Sequence, residues 1–449
     1  MTANRTDGVG GEGQSEPVKK VRARGKPLIA LTATLLAWIA VEFALPLIWT
    51  EGSGRGSAGL RELLTKVEEF VSDYGSGAAL RDGSSVSQKD GATKASDASS
   101  LLHPYTAYSN SWESAAISRF KGQPENVVRV LVLGGSVAAG FHGAGTEALG
   151  RRLAEDPRIK SGRVVFIPFG QPGFKQPQQL MRMVHLFAQG VVPDIVIDLS
   201  GFNEVAVGQA NFNLGAHPAY PQFKKWATLA APPAGDWSLR VERWTAWRDD
   251  FAARVQGLME TWPAGSEIWC ELVRRRLKRE LKALFRASDE LAAEAIRSRA
   301  PRHLLGPEWS GDELSVSPLL VEHWKESAIS AHAICRAFGA VYYPVLQPAA
   351  IDEGSQPNLP DRFRRTGGVT PPWRIGVGQG YPLLREAVQG LQAIGIPAID
   401  LTGVFVREST PVFKDAVHLH RQGNVLLGEA MASGMIERLP PNWKPRWSR

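Results

Sequence analysis

Beyond residue 100 the chain alternates between short apolar runs and longer stretches whose apolar residues return every three or four positions. Residues 127–133, Val-Val-Arg-Val-Leu-Val-Leu, form a nearly continuous apolar run closed by Gly134. That is the pattern of a strand buried on both faces, as in a parallel sheet. Residues 163–169, 194–199, 341–346 and 398–401 carry related signals, with helical spacing over 176–188, around 322–338 and over 382–394. Strands separated by helices predict an α/β fold with a parallel, doubly wound sheet. Right-handed crossovers then put all strand ends on one edge, where open α/β sheets bind their ligands.

Ahead of this region the pattern changes. Residues 1–26 are rich in glycine, serine and charge, which predicts a disordered tail. Residues 27–49 are apolar apart from Glu42 and two threonines. Their number is close to the ~20 residues a helix needs to cross a bilayer. Lys19, Lys20, Arg22, Arg24 and Lys26 precede the span, which keeps the amino terminus cytoplasmic and the rest of the chain outside. A cleaved signal peptide has a shorter apolar core and a small-x-small site. No such site follows Ala44, so the span is read as an uncleaved anchor. Leu60, Leu63, Leu64, Val67, Phe70 and Val71 predict a short amphipathic spacer helix, and 75–100 a flexible linker. The folded domain is expected over 101–440, followed by a tail at 441–449.

Between the third and fourth strands lies a long insertion, about 205–321, which becomes helical and charged from 247 to 299. Connections of this size are usually functional elements or lids. Eleven of the fourteen tryptophans follow Pro221, so this half offers either a sugar-stacking surface or ordinary inter-helix packing; packing is the commoner use. The formal charge is +7. The run Arg274-Arg275-Arg276-Leu277-Lys278-Arg279 suits an acidic polymer or lipid headgroups, but such runs are more often one solvated helix face. No nucleic-acid motif accompanies it. Cys270 and Cys335 are the only cysteines, and either a disulfide or two separate buried thiols satisfies an exported chain. No Cys/His spacing suggests zinc.

The candidate chemistry starts at Gly134-Gly135-Ser136, a serine just past the end of the first strand. Far downstream stands Asp415-Ala416-Val417-His418. An aspartate three residues before a histidine in one turn can orient the imidazole, which then takes a proton from a nucleophile. Two further strand ends carry Gly170-Gln171-Pro172-Gly173 and Gly201-Phe202-Asn203-Glu204. They offer a backbone N–H and a side-chain amide to a developing oxyanion. Gly376-Val377-Gly378-Gln379-Gly380 lacks the preceding strand and the third glycine of a dinucleotide loop, and Gly134–Ala138 is not a Gly-x-Ser-x-Gly elbow.

Taken in order, Gly-Gly-Ser-Val-Ala-Ala-Gly (134–140), Gly173, Gly-Phe-Asn-Glu (201–204) and Asp-Ala-Val-His (415–418) resemble the four blocks of the SGNH/GDSL hydrolases. Each block follows the expected strand, and the resemblance covers about 101–440. It implies a three-layer α/β/α, flavodoxin-like fold of about five parallel strands, with Ser136 as nucleophile and His418 and Asp415 completing a triad. It also implies an oxyanion hole from the Ser136 and Gly173 N–H groups and the Asn203 amide. Gly170 competes with Gly173, which is preferred because Lys175-Gln176-Pro177 then opens the helix as in relatives. Gly135 stands where the family name has aspartate, and Glu204 where aspartate is usual. Gln347, which ends the fourth strand, and Glu204 are further candidates for contact with substrate.

The resulting expectation is a membrane-anchored, periplasmic or extracellular serine esterase that needs no metal or organic cofactor. Resemblance and location together imply an acylated glycan as substrate, with O-acetyl groups foremost, and cell-envelope polysaccharide machinery as a partner. An O-acyltransferase acting on an exported polysaccharide is the alternative, and a non-catalytic, membrane-tethered glycan-binding module is a third reading.

Overall fold

The computed structural model describes residues 100–448, apart from 111–112, 125, 160–162, 231–234, 261–266, 298–305 and 360–369, together with Leu60 and Leu63. The expected membrane span and most of the spacer and linker lie outside the described residues. Among the described residues no helix is long and apolar enough to cross a membrane. The chain divides into two units, residues 1–63 with 263–277 and residues 64–262 with 278–449. In the small unit Leu60, Leu63, Cys270 and Leu277 are buried, and Glu271 holds both Arg274 and Arg275 at 2.6 Å.

The main unit opens with an antiparallel hairpin, β1 (Ser100–His103) and β2 (Ala107–Asn110), and helix α1 (Glu113–Lys121). No sequence expectation covered this hairpin; its strands are too short for a periodic signal. The sheet follows: β3 (Val127–Gly134), β4 (Arg163–Gly170), β5 (Ile195–Ser200), β6 (Val341–Leu346) and β7 (Ile399–Asp400). All five are parallel, in the order β4-β3-β5-β6-β7. The chain moves outward from β3 to β4, then crosses to the other side of β3 to lay down β5. That reversal is the topological switch point at which open α/β sheets form their binding crevice.

Burial of both faces explains the apolar runs. Every residue of β5 is buried, and β3 has one half-buried position, Arg129. Helices α2 (Ser136–Phe141), α3 (Ala144–Leu153) and α11 (Arg421–Arg438) pack together on one side. On the other lie α4 (Gln178–Ala188), α9 (Glu313–Ala337) and α10 (Pro371–Ala393). The result is an α/β fold of three layers.

Both α9 and α10 start earlier than their periodicity suggests. Pro318, and in α10 the glycines 376, 378 and 380 with Pro382, read locally as breakers. In the folded chain a Cβ at Gly376 or Gly380 would collide with Val205, so bare backbone is what lets α10 lie against the segment after β5. Tertiary packing outweighs propensity here.

The insertion begins with a single π-helical turn (Asn203–Val207) and α5 (Gly208–Asn213), then α6 (Phe223–Ala230), α7 (Gly235–Glu260) and α8 (Glu267–Arg297). Trp244 Nε1 donates to the Leu284 carbonyl and Trp247 Nε1 to Glu280, each at 3.1 Å. Trp324 is buried against the sheet, where its Nε1 donates to Ser200 Oγ at 3.0 Å. These tryptophans pack helices. Arg276, Lys278 and Arg279 of the basic run are exposed, a solvated helix face.

One expectation changes, and one open alternative is decided. The stretch 441–449 is no free tail: Trp443 is buried and the Arg446 N–H donates to Asp194 at 2.6 Å. The cysteines do not pair. Neither is in a disulfide and both are buried; Cys335 Sγ lies 3.5 Å from Met183 Sδ, and burial pushes its thiol up to about 12.

Candidate active site

Gly134 pairs with both neighbouring strands, and the chain then turns so that Ser136 becomes the first residue of α2. A helix of that register leaves its first N–H groups without intrahelical acceptors. Gly135 is required for a second reason. A Cβ there would collide with the Asn203 amide nitrogen, so the absent side chain is what lets the third block reach the first.

Asp415 and His418 lie on the loop before α11, closed by a bridge between Phe413 and Leu419. Asp415 Oδ1 accepts the N–H groups of Val417 and His418, both at 2.9 Å, which ties the carboxylate into the turn. Its Oδ2 lies 2.8 Å from His418 Nδ1, and His418 Nε2 lies 2.8 Å from Ser136 Oγ. The three side chains thus make an unbroken line across 282 residues of sequence separation. Burial works to raise the Asp415 carboxyl, but the neighbouring His418 and the bonds from His418 and Val417 outweigh it and hold it down at about 2. Asp415 is ionised throughout any working range. It fixes the tautomer that leaves Nε2 free to accept from the serine.

Beside Ser136 the Asn203 amide donates one N–H to the Phe174 carbonyl at 2.8 Å. Its second N–H, the Ser136 N–H and the Gly173 N–H have no protein acceptor among the described residues. Gly173 adopts φ +79°, with the Gln222 amide and Tyr108 hydroxyl against its Cα. Gly170 instead ends β4 in register with Gly134.

The two remaining candidates, Glu204 and Gln347, both have structural hydrogen bonds. Glu204 is buried, and its carboxylate accepts the Gly201 N–H at 2.7 Å and the Gln176 N–H at 3.1 Å. It ties the turn carrying Asn203 to the segment that follows Gly173. Gln347 is buried as well: its N–H donates to the Ser200 carbonyl at 2.9 Å and its carbonyl accepts from Tyr381 at 3.3 Å, which makes it a sheet-end turn.

Behind the strand ends sits a buried polar network that periodicity could not reveal. Lys175 Nζ donates to the Pro218 carbonyl at 2.8 Å. Gln176 Nε2 donates to Asp198 at 2.5 Å, and the Tyr342 hydroxyl to the same oxygen at 2.9 Å. Burial pushes Lys175 down to about 7, against the pull of Glu204. Burial, reinforced by Glu204, pushes Asp198 up to about 7, and burial raises Glu204 too.

Elsewhere in the main unit His103, Glu113 and His185 converge, with ligand-type atoms within 4.8 Å of one another. This set does not suit a cation. His103 Nδ1 accepts the N–H groups of Thr106 at 3.1 Å and Tyr105 at 3.3 Å, so the neutral ring carries its proton on Nε2, toward Glu113. Arg182, itself buried, already lies 3.3 Å from the same carboxylate.

Neither a family model nor a curated protein matches the chain. The case for function rests on the residues themselves.

Proposed function

We propose that the protein is a serine esterase of the SGNH/GDSL kind. The observation that carries the reading is the line Asp415–His418–Ser136, with both junctions at 2.8 Å, ending on a serine at the switch point of the sheet.

His418 Nε2 takes the Ser136 proton as Oγ attacks the ester carbonyl. Charge that develops on the carbonyl oxygen is met by the Ser136 and Gly173 N–H groups and by the free N–H of Asn203. The intermediate collapses, His418 returns the proton to the departing alcohol, and an acyl group remains on Ser136. Water, deprotonated by His418, then releases the acid and restores the serine. A sugar hydroxyl in place of that water makes the same machinery an acyltransferase. An O-acylated glycan outside the cytoplasm is the proposed substrate, on the strength of the same block resemblance and the apolar span at 27–49. Fold alone does not select a substrate.

The test compares the full chain with Ser136→Ala for release of nitrophenol from a short-chain nitrophenyl ester and of acetate from acetylated polysaccharide. Loss of both activities in the variant is expected, together with fluorophosphonate labelling of the wild type alone. Equal inertness and no labelling of either protein would overturn the reading in favour of a binding module. Product that appears only when an acceptor glycan is added would identify the transferase.

A further inference from the structure

At the opposite edge of the sheet, where β3, β5 and β6 begin, a cavity of about 570 Å³ is lined by Phe120, Phe187, Phe338, Lys121, Arg129 and Arg446 among others. Pockets of this size with apolar walls and a few convergent polar groups are the usual form of a small-molecule site. Here the polar groups have one sign. None of the three cations pairs with a carboxylate side chain among the described residues. Asp194 spends its carboxylate on the backbone, taking the Arg129 N–H at 2.8 Å and the Arg446 N–H at 2.6 Å.

The cations are also held in place. The Arg129 guanidinium lies 5.3 Å from the Phe120 ring centre, and its Nη2 donates to the Pro124 carbonyl at 3.2 Å. Its Nε is buried with no acceptor among the described residues. Arg446 Nη1 donates to the Phe338 carbonyl at 2.6 Å. Fixed guanidinium groups are strong partners for an anionic oxygen placed against this wall. The apolar wall tells the same story from the other side. Phe338 is 47% exposed although it packs edge-on against Phe187, with centroids 5.2 Å apart. An apolar chain laid along these rings would leave water there.

We infer that this cavity is a second binding site, separate from Ser136, for an amphiphilic anion: an acidic head against Arg129, Arg446 and Lys121, and an acyl or similar apolar body on the phenylalanines. Head and body act together, because the lining combines cationic side chains with phenylalanine rings. The same chemistry is presented by a free acyl carboxylate and by an anionic phospholipid.

The test is calorimetric titration of the full chain with hexanoate, 1-hexanol and inorganic phosphate, and co-sedimentation with phosphatidylglycerol and phosphatidylcholine vesicles. Hexanoate is expected to bind more tightly than hexanol or phosphate. Lys121→Ala/Arg446→Ala changes two exposed side chains, and it should weaken hexanoate by about tenfold, whereas Ser136→Ala leaves binding unchanged. Phosphatidylglycerol vesicles that compete with hexanoate would identify a membrane source; binding of hexanoate without the vesicles would identify a free acid. Hexanol or phosphate matching hexanoate, or unchanged binding in the double variant, would overturn the inference. Activity does not enter any of these measurements, so they stand apart from the esterase test.

Discussion

Asp415 and Asp198 carry the same side chain at the same edge of the sheet, yet their surroundings drive them in opposite directions. Asp415 sits in a loop, beside an imidazole and two backbone N–H groups, and is held at about 2. Asp198 lies inside the sheet with Glu204 as its charged neighbour and is pushed to about 7. Burial opposes ionisation at both sites; the difference is whether something compensates. In the loop a cation-accepting partner and oriented N–H groups do so. Under the sheet a second carboxylate adds to the cost, and the hydroxyl of Tyr342 and amide of Gln176 offset only part of it. The first environment holds an ionised carboxylate against an imidazole. The second holds the turns at the strand ends together, and in the proposed esterase these are the oxyanion turns.

The comparison can be broken most sharply at the triad. Asp415→Asn should lower kcat by roughly 10³–10⁴-fold on a nitrophenyl ester with little change in KM, because it removes the group that orients and charges with His418. Asn203→Ala should cost about 10²–10³-fold, again in kcat, since its amide meets charge found only in the transition state. Glu204→Gln keeps the shape of the bridge but replaces one acceptor by a donor facing a backbone N–H. Roughly a ten- to hundredfold loss in kcat is expected, through displacement of Asn203 and the Gly173 segment, with Glu204→Asp retaining more activity than Glu204→Gln.

The smallest effect concerns stability, and its sign separates the two aspartates. Asp198 has a folded value above its ordinary 3.8, so its contribution is intact below about 4 and is lost as the pH rises toward about 7. Asp415 is depressed, so its contribution is present above about 4 and is lost as the pH falls toward about 2. Asp198→Asn should therefore raise Tm at pH 8 by on the order of 3–8 °C and have little effect at pH 4. Asp415→Asn should lower Tm at pH 7 and approach the wild type near pH 2. Thermal unfolding across pH reads both; parallel behaviour of the two variants would end the distinction.

Much of the fold was legible because its strands are buried on both faces. Continuous apolar runs such as 127–133 have no other natural reading, and the five that were read are the five of the sheet. The serine was singled out because it directly follows a strand, and the aspartate and histidine because their three-residue spacing sets both in one turn just before a helix. The hairpin of β1 and β2 left no signal, and α10 was hidden by glycines and a proline whose purpose is contact with Val205.

Local patterning thus determined the order of elements and the residue types at the strand ends, since both follow from which side chains must leave water. Partnership was decided only in three dimensions. That Gly135 makes room for Asn203, that Glu204 braces two turns, and that the segment around Arg446 docks through Asp194 depend on segments brought together across long stretches of chain. The same holds for the three cations that meet at one cavity. A sequence displays the groups that hydrogen bonds and charges need; only packing chooses which of them meet.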